Sequence, residues 1–335
     1  MDSPALVPVR PLEQIPLVTA RLHELLLTNG AFDDIYRHIL AAPGKRVRAR
    51  LVLATAGLLR AETDPAPVAT SFGDAIDLAC AMEMFHESSL VHDDICDGSL
   101  LRRGAASVAA EFGVRTSARL GFHMAGVALE SVARVIDANP VVFAGIGTAP
   151  GVTYADRLSD LSFGQLIETL PPSVDVDVDA LRRHYELVAG AKTGTLFRLS
   201  CSYGGTAGGV NPERLQALME YADQLGLAFQ IMDDVRDIEG GVELGKDAGG
   251  DLERRVPTWP VIEWLANRPG AHELWLSDET TSEFLQADLI ESGATKLARE
   301  AAVAATDTAS RALEVFGPSP ARDDLRALLH EVISR

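Results

Sequence analysis

What this sequence lacks narrows its possibilities before any motif is found. It has three cysteines, Cys80, Cys96 and Cys201, an odd and scattered set that offers neither a disulfide framework nor a metal-ligand spacing. No run of about 18 apolar residues is free of charge, so neither a membrane-spanning helix nor stable membrane insertion is expected. The opening stretch "MDSPALVPVRPLEQ" has neither the basic head nor the apolar core of a secretory signal, which with the scattered thiols points to the cytoplasm. Basic residues are short too: 30 Lys and Arg stand against 48 Asp and Glu, a formal net charge of -18. A surface that acidic repels nucleic acid and anionic lipid, which removes both from the expected partners.

What is present is an ordinary globular composition, 47% hydrophobic and 23% charged. Helical periodicity dominates. "FGDAIDLACAMEMFHESSLVHDD" (72–94) has neither Gly nor Pro after Gly73 and repeats apolar residues at steps of three and four. "PERLQALMEYADQLGLAFQIMDDVRDI" (212–238) opens with Pro in the first turn and reads the same way. Further helices are predicted over 11–29, 45–60, 116–136, 153–170, 179–202, 257–267, 280–290 and 293–315, with breaks at Gly- and Pro-rich stretches. None of those breaks is long enough to link independent domains, so one large all-α domain over 1–335 is expected.

One segment imitates a calcium loop. "VDVDVDA" (174–180) sets Asp175, Asp177 and Asp179 at alternate positions, with Glu186 completing the spacing. The sixth position, which needs Gly for its sharp turn, is Ala180, and Arg182 and Arg183 would add two positive charges. The preferred reading is an acidic lead-in to a helix N-terminus, where Asp complements the dipole.

The chemistry lies in "LVHDDICDG" (90–98) and "QIMDDVRDI" (230–238). On a helix Asp93 and Asp97 lie about 40° apart, one turn along the axis, and Asp94 borders the same face. Asp233, Asp234 and Asp237 repeat the spacing. Three carboxylates within one turn repel each other unless a cation neutralises them. Oxygen donors without His or Cys favour a hard ion, Mg²⁺ above others, and Mg²⁺ normally shares its shell with substrate phosphates. Cations that would meet such phosphates stand in order beside the triplets: Lys45 and Arg48, Arg102 and Arg103, Lys192 with Thr193, and Lys246. His86 lies about 20° from Asp93 in helical projection, which turns it to the same side.

This order of motifs, from "GKRVRARLVL" at 44 to "PTWPVI" at 257, resembles the trans-isoprenyl diphosphate synthases of the polyprenyl synthetase family. The resemblance implies a bundle of antiparallel helices around a deep central cavity, usually as a homodimer. It implies condensation of an allylic diphosphate with isopentenyl diphosphate, releasing pyrophosphate. On the matching positions, Asp93, Asp94, Asp97, Asp233, Asp234 and Asp237 would hold three Mg²⁺ ions on the allylic diphosphate, which Arg102, Lys192 and Lys246 would also contact. Lys45, Arg48, His86 and Arg103 would bind isopentenyl diphosphate. Gln165 with Phe229 and Gln230 would line the cavity, and oxygens of Thr193 and Gln230 would face the allylic cation. No dedicated protein base stands out, so the pyrophosphate itself is expected to take the final proton.

Three places depart from the family pattern. Val256 falls where a lysine is usual, with Arg254 and Arg255 as the neighbouring cations able to replace it; Ala49 replaces a proline; and "RTSARLGFHMAG" (115–126) lacks an Ala-Gly-Asp run. A class I terpene cyclase is the main rival, but it would need no site for a second diphosphate. An inactive partner subunit would be expected to lose one triplet, and both are intact. Product length is read from the helix before Asp93. In the family a bulky aromatic four or five residues back stops growth at C15, and here those positions are Ser89 and Ser88. Phe85 is the next large group, about 12 Å below Asp93, which favours a C20 product.

Overall fold

The periodic segments become helices in the computed structural model, which describes residues 10–28, 30–42, 44–59, 69–144, 154–170, 177–240 and 250–334. The described chain groups into two compact units, each assembled from separate chain segments. One comprises Met1–Thr153, Arg198–Met219 and Leu313–Leu328; the other comprises Tyr154–Phe197, Glu220–Ala312 and Leu329–Arg335. In chain order the α-helices are α1 (Ile15–Leu26), α2 (Asp33–Leu40), α3 (Val47–Gly57), α4 (Phe72–Cys96), α5 (Val108–Phe112), α6 (Val114–Ala138), α7 (Pro140–Phe143), α8 (Tyr154–Glu168) and α9 (Val178–Ala189). There follow α10 (Thr195–Ala207), α11 (Pro212–Glu239), α12 (Gly250–Glu253), α13 (Trp259–Asn267), α14 (Ala271–Leu276), α15 (Ser282–Glu291), α16 (Ala294–Ala312) and α17 (Pro320–Ile333). Among the described residues no helix is long and apolar enough to cross a membrane.

In the first unit α4 is the axis, packed along α6 and flanked by α3 and α1. A capping box starts it: the Ser71 hydroxyl accepts from the Asp74 amide, and the Asp74 carboxylate accepts from the amide of Ser71. Its buried stripe includes Leu78, Met82, Met84 and Phe85. The first aspartate triplet closes the helix, Asp93 and Asp94 in its last turn and Asp97 at the C-cap, where the helix dipole disfavours negative charge. Just beyond, Leu101–Arg102 pairs antiparallel with Ala105–Ala106. The turn between them has positive φ at Arg103 (52°) and Gly104 (78°), the backbone of a tight two-residue hairpin.

The second unit is built around α13. A buried cluster of Leu181, Ile238, Val261, Ile262, Trp264 and Leu285 ties α9, α13 and α15 together. The stretch expected as one helix over 179–202 is interrupted. Gly190–Gly194 forms a turn of π-helix between α9 and α10, and α8 packs against it. Gly164 makes that approach possible, because a Cβ there would sit 2.8 Å from the Lys192 amide nitrogen. Asp177 caps α9 by accepting from the Asp179 amide, so the described part of the calcium-like segment is a helix start. Asp175 lies outside the described residues.

Candidate active site

Two parallel stripes of side chains run along α4. His86, Asp93 and Asp97 recur at steps of seven and four, and beside them Glu83, Glu87 and Asp94 recur at four and seven. Each set lies within about 40° on the helix surface. The first stripe is partly or fully open to solvent, whereas the second is buried. Every member of the buried stripe meets an arginine from another segment. Glu83 Oε2 accepts from Arg46 Nη1 at 3.3 Å. Glu87 Oε1 accepts from Arg103 Nη1 at 2.9 Å. Asp94, 3% exposed, takes a two-pronged contact from the Arg102 guanidinium, with Nε 3.0 Å from Oδ1. A buried carboxylate without such a partner would be costly, so each pairing fixes a guanidinium in place.

The arginine seats are formed by the local backbone. Arg46 sits in a left-handed conformation (φ 49°) at the start of α3. Gly44 has φ 62°, and a Cβ there would lie 2.9 Å from Cζ of Arg103, so the bare glycine makes room for the guanidinium. Arg103 also donates to the Ala42 carbonyl at 2.6 Å. The Ala49 departure has a structural use: its amide donates to Glu83 Oε1 at 2.9 Å, a bond that a proline could not make. Arg48 is buried and His86 half-buried in the same cluster, while Lys45 is exposed. Burial, followed by the charges of Arg48, Arg103, Arg102 and Arg46, holds the His86 pKa well below its usual value, so the ring stays neutral. Burial also lowers the pKa of Arg48, to about 10. Glu87 is pushed upward by burial, against the opposing pull of Arg103.

The second unit repeats the division of labour among aspartates. Asp233 is exposed and Asp237 half-buried, whereas Asp234 is 5% exposed. Asp234 Oδ2 accepts from the Tyr185 hydroxyl at 2.5 Å, and Oδ1 accepts from Gln230 Nε2 at 3.0 Å. Gln230 Oε1 in turn accepts from Thr193 Oγ1 at 2.9 Å. Burial raises the Asp234 pKa to about 8, with the two hydrogen bonds pulling the other way. Lys192 on the π turn donates to Glu168 of α8 at 2.7 Å. Tyr185 stands edge-on to Trp259, with ring centres 5.3 Å apart.

Each unit therefore gathers its own predicted residues. Lys246 lies outside the described residues. The two arginines beside Val256 differ in surroundings, Arg254 exposed and Arg255 half-buried. Arg255 donates to the carbonyl of Ser277 and to that of Thr280 (2.5 Å) and lies over the Trp275 ring, while Arg254 pairs with Asp251. Of the length-setting set, Phe85 is buried, Ser88 donates to the Gly121 carbonyl of α6 at 2.8 Å, and half-buried Ser89 donates to His86 of its own helix. Glu83, Glu87 and Tyr185 escaped the sequence reading. The signal for the two glutamates was their spacing from Asp94 inside an apolar helix; Tyr185 had none.

The donor set suits a hard divalent cation. The outer aspartates of each triplet, one helical turn apart, keep solvent access while the middle one is tied down, and every candidate donor atom is an oxygen; among the described residues no three such side chains are grouped tightly enough to hold an ion by themselves.

The family model described as "Polyprenyl synthetase" matches residues 29–292. The geranylgeranyl pyrophosphate synthase of Geoglobus acetivorans is 30% identical over 96% of this chain and 97% of its own length. The octaprenyl diphosphate synthase of Escherichia coli (strain K12) is 27% identical over 89% of this chain and 88% of its own. The solved structure of a polyprenyl synthase from Caulobacter crescentus, complexed with calcium and isoprenyl diphosphate, superposes with a TM-score of 0.80 at 27% identity, covering 97% of each chain.

Proposed function

The chain belongs to the polyprenyl synthetase family and is a trans-prenyltransferase, and from that premise we propose that it condenses an allylic diphosphate with isopentenyl diphosphate to give a C20 prenyl diphosphate. The observation that carries the two-substrate reading is the cluster around His86. Besides Arg102, which is given to the first diphosphate below, a neutral imidazole there has Arg46, Arg48 and Arg103 nearby, guanidiniums that an enzyme ionising a single diphosphate would not need.

The outer aspartates Asp93, Asp97, Asp233 and Asp237 are the proposed ligands for Mg²⁺, three ions in all, held with the allylic diphosphate. When bound, Mg²⁺ supplies the positive charge that lets pyrophosphate depart. Arg102 and Lys192 meet the same diphosphate, which requires Lys192 to exchange its contact with Glu168 for the substrate. Lys246 joins that set in the proposal. Lys45, Arg48, His86 and Arg103 receive isopentenyl diphosphate, with His86 donating one ring N–H without adding charge. The Thr193 hydroxyl points its proton at Gln230, leaving oxygen lone pairs of both residues to stabilise an allylic cation. The departing pyrophosphate takes the final proton.

The C20 length rests on Phe85, the first buried aromatic side chain below Asp93 on α4, with two serines between. We propose a homodimer through α6, on which Val114, Phe122 (80% exposed) and Leu129 are exposed, the last two at a spacing of seven. Light scattering of the purified protein and of Phe122→Asp tests it; a dimeric variant would exclude this face.

The deciding experiment incubates purified protein with Mg²⁺ and each allylic diphosphate, with and without isopentenyl diphosphate. Linear prenyl diphosphate formed only when isopentenyl diphosphate is present is the expected result. Cyclic hydrocarbon formed without it would establish a cyclase instead.

A further inference from the structure

We propose that Glu87 is a positioning residue of the second-substrate site, holding Arg103 by one amino group so that the rest of its guanidinium is presented to the incoming diphosphate. This rests on the assignment of Arg103 to isopentenyl diphosphate and deepens it.

Three contacts define the seat. Glu87 Oε1 lies 2.9 Å from Arg103 Nη1, the Ala42 carbonyl lies 2.6 Å from the same nitrogen, and Gly44 leaves space for the face of the group. Among the described residues the anchoring falls on one nitrogen, so the Nε–Nη2 edge keeps the paired geometry that suits a phosphate. Glu87 also stands 3.8 Å from Arg46, which Glu83 holds from one turn earlier. The carboxylate thus sits between two guanidiniums in a cluster that also contains Arg48 and His86. It lowers the repulsion among those cations before substrate arrives, and it ties a long side chain to one geometry. Without it Arg103, on a hairpin turn with positive φ, would sample many rotamers and bind the anion only after losing that freedom. Glu87 acts through Arg103; it is not expected to touch the reacting atoms.

Calorimetric titration with isopentenyl diphosphate alone tests this, on the full-length protein and on Glu87→Gln, Glu87→Ala, Arg103→Ala and the Glu87→Ala/Arg103→Ala double variant, with melting temperatures recorded for each. Glu87→Ala should raise Kd roughly tenfold, the scale of a lost charged hydrogen bond, and Glu87→Gln, which keeps an acceptor oxygen, should lose less. The double variant should bind no worse than Arg103→Ala, because the two act as one unit. In steady state, KM for isopentenyl diphosphate should rise while KM for the allylic substrate stays within about twofold. Unchanged or tighter binding by Glu87→Ala, or fully additive losses, would overturn the proposal. Wild type and Arg103→Ala binding alike would instead remove the second-substrate assignment, and the proposal with it.

Discussion

The two aspartate triplets share a spacing but not an environment. In both, the middle aspartate is buried and bonded while the outer two keep access to solvent. Asp94 is anchored by a guanidinium from a hairpin eight residues further on. Asp234 is anchored by two neutral donors, a tyrosine hydroxyl from α9 and the amide of Gln230 one turn back. The difference decides the electrostatics. An arginine brings a full charge to its carboxylate, whereas neutral donors leave burial in control, and the Asp234 pKa rises to about 8. The difference also decides what each anchor organises. Asp94 continues a stripe of arginine-holding carboxylates, while Asp234 ends a hydrogen-bonded line that begins at Thr193. One motif therefore contains two kinds of residue, outer carboxylates open to solvent, which are the proposed ligands, and a buried middle anchor.

The strongest way to break that division is to remove an outer aspartate. Asp93→Ala or Asp233→Ala should cut turnover on the order of a thousandfold, since several kcal/mol of charge stabilisation is lost. Circular dichroism should show the helical fold retained. Asp94→Ala should differ in kind, lowering the melting temperature as well, because it leaves Arg102 half-buried without its partner. If the outer and middle variants lost rate and stability in the same proportions, the two roles would not be separate.

A smaller effect sharpens the second triplet alone. Tyr185→Phe keeps the ring against Trp259 and deletes only the hydroxyl bonded to Asp234. Asp234 anchors the helical turn that carries Asp233 and Asp237, and loss of a hydrogen-bond partner behind a metal site typically costs about 10- to 100-fold in metal affinity, so pyrophosphate titrations should need more Mg²⁺. An unchanged Mg²⁺ requirement would make Tyr185 a packing residue only.

The positions proposed to set product length distinguish the triplets as well. Four and five residues before Asp93 stand Ser89 and Ser88; the same positions before Asp233 are Phe229 and Ala228. Phe229 is packed edge-on against Phe197, whereas the serines leave Phe85 as the next large group on α4. Phe85→Ala should lengthen the main product with turnover changed by no more than a few-fold, and the cavity it leaves should cost about 3–5 kcal/mol of stability. Ser88→Tyr should shorten the product but must displace the bond to Gly121, so its melting temperature should fall too. Chain-length analysis that found the same product from both would remove α4 as the ruler.

Much of the all-α fold was legible because long helices with strict periodicity announce themselves. The described parts of α4 and α11 match their expected spans closely, and both triplets fall where the sequence set them. Shorter α2, α5 and α14, and α17 near the end, were not expected; brief or weakly patterned segments give periodicity too few turns to register. The π turn at Gly190–Gly194 was hidden because its cause is α8 approaching through Gly164, a contact between residues far apart in sequence. The same reason hid Tyr185, whose hydroxyl donates to Asp234, 49 residues away. Glu83 and Glu87 were hidden differently. They looked like ordinary helix polarity until three arginines from other segments converged on the stripe.

The smallest expected effect comes from His86, which occupies the place seven residues before Asp93 that Gly226 occupies before Asp233. Only the first triplet therefore has a titratable ring one stripe position away. Burial and the nearby charges of Arg48, Arg103, Arg102 and Arg46 hold its folded pKa well below 6.5. The unfolded chain then binds a proton that the folded chain refuses. Stability from this group is fully present above about pH 6.5 and declines as pH falls below it, until the folded pKa is reached. Burial moves Glu87 the other way, and its raised value works with the opposite sign. The comparison must therefore be between proteins at each pH rather than along one curve. Unfolding by urea at pH 7.5 and pH 5.5 should show wild type losing more stability over the interval than His86→Gln, which carries no titrating group there. Equal losses would mean that the ring is protonated in the folded state at pH 5.5, and that the arginines around it are farther off or better neutralised than their positions indicate.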